Sequence, residues 1–128
     1  MDAETVQELA FTSDLKSAKQ AVTALKNERN LRGLLDVIND LPVVAVKVQA
    51  IKALGEVGSK REAKPLIDRL AELNVGVMGG SDQVGEHELM KKALVDAIAR
   101  LTKARPPSDL NIASVKTFIA DSKRKVVA

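Results

Sequence analysis

Apolar residues recur at steps of three and four along most of this chain, the spacing that gathers them on one face of an α-helix. Leu15, Ala18, Val22 and Leu25 share such a face in a segment that the pattern starts near Ser13 or Asp14. Leu31, Leu34, Leu35 and Ile38 do the same after Asn30, whose short amide suits a helix N-cap. Pro42 stands where a third helix would open, a place that tolerates its missing backbone donor. Val44, Val48, Ile51 and Leu54 line that helix, Gly55 weakens its end, and Gly58 is a natural stop. Alternation of Val44, Val46 and Val48 with Ala45 and Lys47 also suits a strand. The alternation does not persist, however, and no second run offers a pairing edge.

Ser59-x-x-Glu62 reads as a capping box for the next helix. Pro65 follows early and lacks a backbone donor, so a late start or a kink is expected there. Leu66, Ile67, Leu70 and Leu73 form its buried stripe. The stretch 74–85 holds Gly76, Gly79, Gly80 and Gly85 and has no helical period, so it reads as a glycine-rich loop. Leu89, Ala93, Leu94, Ala97, Ile98 and Leu101 then make the strongest stripe in the chain, ended by Pro106-Pro107. A last helix is expected from about Ser108 to Ser122 with Ile112, Val115 and Ile119 inward. A basic tail, 123–128, is expected to fray through Lys123, Arg124 and Lys125.

A short motif recurs within this pattern. Gln20-Ala21-Val22-Thr23-Ala24-Leu25 returns as Gln49-Ala50-Ile51-Lys52-Ala53-Leu54, 29 positions later. A repeat at this spacing marks stacked supersecondary units, each unable to bury its apolar face alone. The second copy carries more: Ala53-Leu54-Gly55-x-x-Gly58, then Ala63, then Pro65-Leu66-Ile67, then Leu70. This stretch resembles a HEAT-like repeat of the short bacterial and archaeal type, similar to those of phycobilisome lyases.

The flanking units fit less closely. Residues 15–40 place Lys26 and Asn27 where the glycine turn belongs, and residues 86–119 keep Ala97-Ile98 and Leu101 without a glycine turn after them. Leu54 and Ile98 are 44 positions apart rather than 29, an excess that the glycine-rich insertion covers. The resemblance implies an all-α fold. It would be a short right-handed α-solenoid of about three helix pairs, with units near 13–41, 42–73 and 85–122 in one domain spanning 1–128. It also implies that the second helix of each pair lines a surface that binds other macromolecules without chemistry. Degenerate outer units are expected, because the ends of a solenoid must meet water.

Composition narrows the chemistry. The 128 residues include two Phe, no Trp, no Tyr and no Cys. Helices must therefore pack through Leu, Ile, Val and Ala, and stacking platforms for bases or flat cofactors are scarce. Disulfides, thiolate catalysis and cysteine-bound zinc are excluded together. The first residues, Met1-Asp2-Ala3-Glu4, are acidic and carry no signal-peptide pattern, and no run approaches the ~20 apolar residues of a membrane span. A cytoplasmic location is the expectation.

His87 is the single histidine, and Lys91 occupies the place where a zinc-protease motif needs a second one. A divalent site from Asp82, Glu86, His87 and Glu88 competes with an exposed first helical turn whose glutamates favour the helix dipole. The turn is the simpler reading. Gly79-Gly80-Ser81-Asp82-Gln83 lacks the closing residues of a phosphate loop or a nucleophile elbow. No metal, cofactor or catalytic group is expected, so the chain reads as a non-enzyme.

The candidate partner-binding residues are Arg32, Asp36 and Asn39 from the first pair and Arg61, Lys64, Asp68, Arg69 and Glu72 from the second. Positions 32, 36 and 39 share one helix face, as do 61, 64, 68 and 72. The net charge of +3 leaves an alternative open. Lys91, Lys92, Arg100, Lys103, Arg105, Lys123, Arg124 and Lys125 crowd the third unit and tail, where they would bind nucleic acid or another polyanion. A lyase-like activity on a tetrapyrrole-bearing protein is implied by the resemblance alone and sits poorly with so few histidine, cysteine and aromatic residues. The expected partner is another protein, with self-association open and no membrane involved.

Overall fold

The computed structural model describes residues 15–40, 44–74 and 81–127, and every apolar stripe in that range folds as α-helix. The helices are α1 (Leu15–Asn27), α2 (Leu31–Asp40), α3 (Val44–Val57), α4 (Ala63–Leu73), α5 (Ser81–Thr102) and α6 (Ile112–Val127). Among the described residues there is no strand, so the fold is all-α and the alternating valines belong to α3. Ser13, Asp14 and Pro42 lie outside the described residues. No helix among those described is long and apolar enough to cross a membrane.

The chain groups into two compact units, 1–58 and 59–128. The boundary falls inside the stretch 42–73 that the resemblance treats as one helix pair.

In the first unit α1 turns into α2 without a glycine. Arg29 adopts a left-handed conformation, φ 54°. Its N–H donates to the Lys26 carbonyl at 3.0 Å, and the Asn30 N–H donates to the Leu25 carbonyl at 2.9 Å. This is a Schellman closure, in which the turn satisfies the orphan carbonyls of the last helical turn. Asn30 then caps α2, its Oδ1 accepting from the Gly33 N–H at 2.9 Å. A Cβ on Gly33 would lie 3.0 Å from both Leu25 Cδ2 and Asn30 Cγ, so the absent side chain is what lets cap and core coexist.

Helix α3 packs on both α1 and α2. It therefore buries a wide arc, including Val46, Ala50, Ile51, Ala53, Leu54 and Gly55, where the sequence shows one stripe. Val44 and Val48 are only half-buried. Fully buried Leu25, Leu34, Ile38, Ile51 and Leu54 hold the unit together. Each contributes roughly 1.5–3 kcal/mol relative to exposure. Gly58 follows α3 directly and its N–H reaches the Leu54 carbonyl at 2.7 Å, but no described glycine has positive φ. The stop is placed as expected, without the left-handed cap.

The second unit opens on the Ser59–Glu62 pair. One Glu62 oxygen accepts from the Ser59 N–H at 3.3 Å and from its Oγ at 3.0 Å. The pair caps a 3₁₀ turn, Lys60–Glu62, before α4 begins at Ala63. Pro65 is the third residue of α4, within the first turn where its missing donor costs nothing, so the late start is realised. Helix α4 packs on α5 and α6, which also touch each other. Leu66, Ile67, Leu70, Leu94, Ile98 and Val115 are at the centre of that core.

In the second unit the structure departs from the sequence pattern at several points. The glycine-rich stretch ends earlier than Gly85, because α5 begins at Ser81 and runs for 22 residues. Extending an established helix adds a hydrogen bond per residue fixed, which outweighs the ~1 kcal/mol helical cost of Gly85. His87 is thus in the second turn rather than the first. Leu89 and Ile112 point outward, 59% and 47% exposed, while Met90, Val95 and Phe118 are buried. The last helix starts at Ile112, later than Ser108, and continues through Lys123–Lys125 to Val127 instead of fraying. Its start is set by Asn111, whose Oδ1 accepts from the Ser114 N–H at 2.8 Å.

Candidate functional site

The repeated motif places α1 and α3 side by side. Gln49 donates its amide to the Lys19 carbonyl at 2.9 Å and to the Thr23 hydroxyl at 3.1 Å. Thr23 in turn donates to the same carbonyl at 3.1 Å. Seven residues further along α3, Glu56 pairs with Lys26. Contacts advance in the same direction on both helices, so α1 and α3 run parallel, with α2 returning between them in sequence.

A furrow follows this seam. One open depression of about 520 Å³ is lined by Lys16, Lys19, Gln20, Thr23 and Gln49. The adjoining one, about 210 Å³, is lined by residues that include Thr23, Lys26, Lys52 and Glu56. Lys16, Lys19, Thr23 and Lys26 fall on one stripe of α1 at offsets of three, seven and ten, each one position on from Leu15, Ala18, Val22 and Leu25, so the polar stripe flanks the apolar one about 100° round the helix. That signal, together with the repeated Gln, identifies a surface absent from the sequence-based candidates.

Those candidates divide between the two units. On α2, Arg32 and Asn39 are exposed and Asp36 is half-buried. In the second unit Arg61 is exposed in the 3₁₀ turn, and Lys64, Asp68 and Glu72 are exposed at four-residue steps along α4, opposite its buried Leu66, Ile67 and Leu70. Arg69 is half-buried and its guanidinium lies 3.4 Å from Glu72. Each helix therefore offers a mixed-charge face that its own core does not use.

The basic candidates fare unevenly. Lys92, Arg100, Lys103, Arg105, Lys123 and Arg124 are exposed, and Lys125 is half-buried. Lys91 is only 3% exposed and is withdrawn from any ligand. Its neighbours three and four residues on, Leu94 and Val95, are buried as well, and a long lysine stem tolerates that surface. Lys103 does structural work: with φ 67° it closes α5, its N–H donating to the Ala99 carbonyl at 2.9 Å. Arg124 is paired with Asp121 at 3.2 Å.

Among the described residues no three carboxylate or histidine side chains converge on a point. Asp82, Glu86 and His87 have side chains outside the described part, and Glu88 is exposed. One buried polar atom stands alone: Asn74 donates through Nδ2 to the Ile112 carbonyl at 3.0 Å, tying the end of α4 to the start of α6, while its Oδ1 has no partner. Comparison with protein-family models, curated proteins and solved structures finds no match to this chain.

Proposed function

We propose that this chain is a helical-repeat module of the HEAT-like kind, acting in the cytoplasm, that binds another protein through the polar faces of its second helices, α2 and α4. It carries out no chemistry on that partner. The observation that supports the repeat reading is the parallel, in-register seam of α1 and α3, where the two copies of the motif meet through Gln49, Lys19 and Thr23. First helices of successive pairs lie side by side in stacked repeats, with the second helix returning antiparallel. The binding role rests on α4, where Lys64, Asp68 and Glu72 form an exposed row at helical spacing, and on Arg32 and Asn39 of α2. A surface of this kind gains specificity from charge pattern more than from a pocket.

The test is affinity capture from nuclease-treated extract of cells expressing the protein, comparing the wild type with Asp68→Arg. A discrete protein retained by the wild type should be lost with the variant, by about tenfold or more, since like charges juxtaposed across an interface are costly. Asp68 is exposed, so circular dichroism and thermal unfolding should be unchanged.

A second reading keeps polyanion binding in view, because α6 carries Lys123 and Arg124 exposed on an ordered helix. In that case the capture is nuclease-sensitive, and Lys123→Gln with Arg124→Gln lowers the salt dependence of binding.

A further inference from the structure

We propose that the furrow between α1 and α3 is a docking site for an extended acidic segment of a partner protein, read by Lys16, Lys19 and Lys52. It uses helix faces that the proposed α2 and α4 surface does not, so either can fail without the other.

Charge is the first argument. Lys16, Lys19 and Lys52 are exposed along the furrow and have no ion pair among the described residues, whereas Lys26 already holds Glu56. Three ammonium groups along one seam leave a positive field that a row of carboxylates complements. Preorganisation is the second. Gln49 and Thr23 are fixed by hydrogen bonds to the Lys19 carbonyl, so the floor is set before a ligand arrives and little side-chain ordering remains to oppose binding. Gln49 commits its amide hydrogens to that floor and keeps a carbonyl oxygen able to accept from a peptide N–H.

Dimensions and composition select the occupant. From Lys16 to Lys26 the seam runs ten residues of α1, about 15 Å at 1.5 Å per residue. An extended peptide covers that with four or five residues at about 3.3 Å each. A nucleic-acid strand fits less well. The furrow's lining holds no aromatic ring on which bases could stack, and Glu56 at its far end opposes an unbroken run of phosphates.

The experiment uses the intact chain and a fluorescein-labelled peptide of six consecutive glutamates flanked by glycines, followed by fluorescence anisotropy at low salt. An oligothymidylate of equal charge is the competitor. The expected result is saturable binding that weakens about tenfold or more in the triple variant Lys16→Gln, Lys19→Gln, Lys52→Gln. Binding should be unchanged in Asp68→Arg and in Lys123→Gln with Arg124→Gln. Glutamine matches lysine closely in helix propensity, so the triple variant keeps its helicity. Should circular dichroism show otherwise, Lys52→Glu alone is read in its place, with a loss of at least about threefold. No saturable binding to the wild type, equal weakening by the Lys123 and Arg124 variant, or tighter binding of the oligothymidylate through the same three lysines would each overturn the proposal.

Discussion

Two residues in the first unit are held against a local backbone preference. Arg29 holds a left-handed conformation that an L side chain resists by roughly 1–2 kcal/mol, and it does so to close the Schellman turn after α1. Replacing it with glycine keeps both closing hydrogen bonds and relieves the strain. Arg29→Gly is expected to raise stability by about 1 kcal/mol, read as a shift in the urea midpoint at unchanged slope. Gly33 is the converse case. Alanine there gains ~1 kcal/mol of helix propensity, but its methyl group meets Leu25, which is fully buried, and the capping Asn30. Overpacking of that kind costs ~1–3 kcal/mol, so Gly33→Ala is expected to destabilise by about 1 kcal/mol, measured the same way. Neither position is legible from the sequence. A glycine turn is the usual signal, and here the left-handed places are taken by Arg29 and Lys103 while Gly58 has no positive φ. Lys91 is hidden for a related reason: its charge marks it as surface, and only the apolar residues three and four positions on reveal that its stem lies inward.

At the level of elements the periodicity is a good guide to existence and a poor one to edges. All six stripes fall in helices because their central residues, such as Val22, Ile51, Leu70 and Ile98, are buried from more than one side. The ends are set by contacts that periodicity does not encode. Met90, not Leu89, turns inward because α4 and α6 decide which arc of α5 is covered. Ile112 sits at the first turn of α6, where its carbonyl is held by Asn74 and its side chain is left outside. Leu89→Gln should therefore change stability by under ~0.5 kcal/mol, while Leu94→Ala should cost about 2–5 kcal/mol, both measured by thermal unfolding. The parallel seam of α1 and α3 makes a geometric prediction as well. The chain has no cysteine, so Lys26→Cys with Glu56→Cys is a clean pair. A short bismaleimide should bridge it within one molecule, and should fail to bridge Lys16→Cys with Glu56→Cys, which lie at opposite ends of the seam. Bridging of both pairs, or of neither, would remove the parallel arrangement.

For the molecule as a whole, the informative fact is what its two units leave uncovered. Among the described residues, exposed charged rows stand on α2 in one unit and on α4 in the other. The sequence reveals those rows, since Lys64, Asp68 and Glu72 keep helical spacing opposite a clear apolar stripe. It shows the α1 stripe of Lys16, Lys19 and Lys26 but not the furrow, because Lys52 joins them only when the two copies of the motif lie side by side. The most direct measurement is amide NMR of the 128-residue chain, titrated with the partner recovered by capture. If the second helices form the binding surface, shift changes concentrate at Arg32, Asp36 and Asn39 and along Lys64–Glu72. Changes confined to α6 and the stretch from Arg100 to Arg105 would contradict it and assign the partner to the basic end instead.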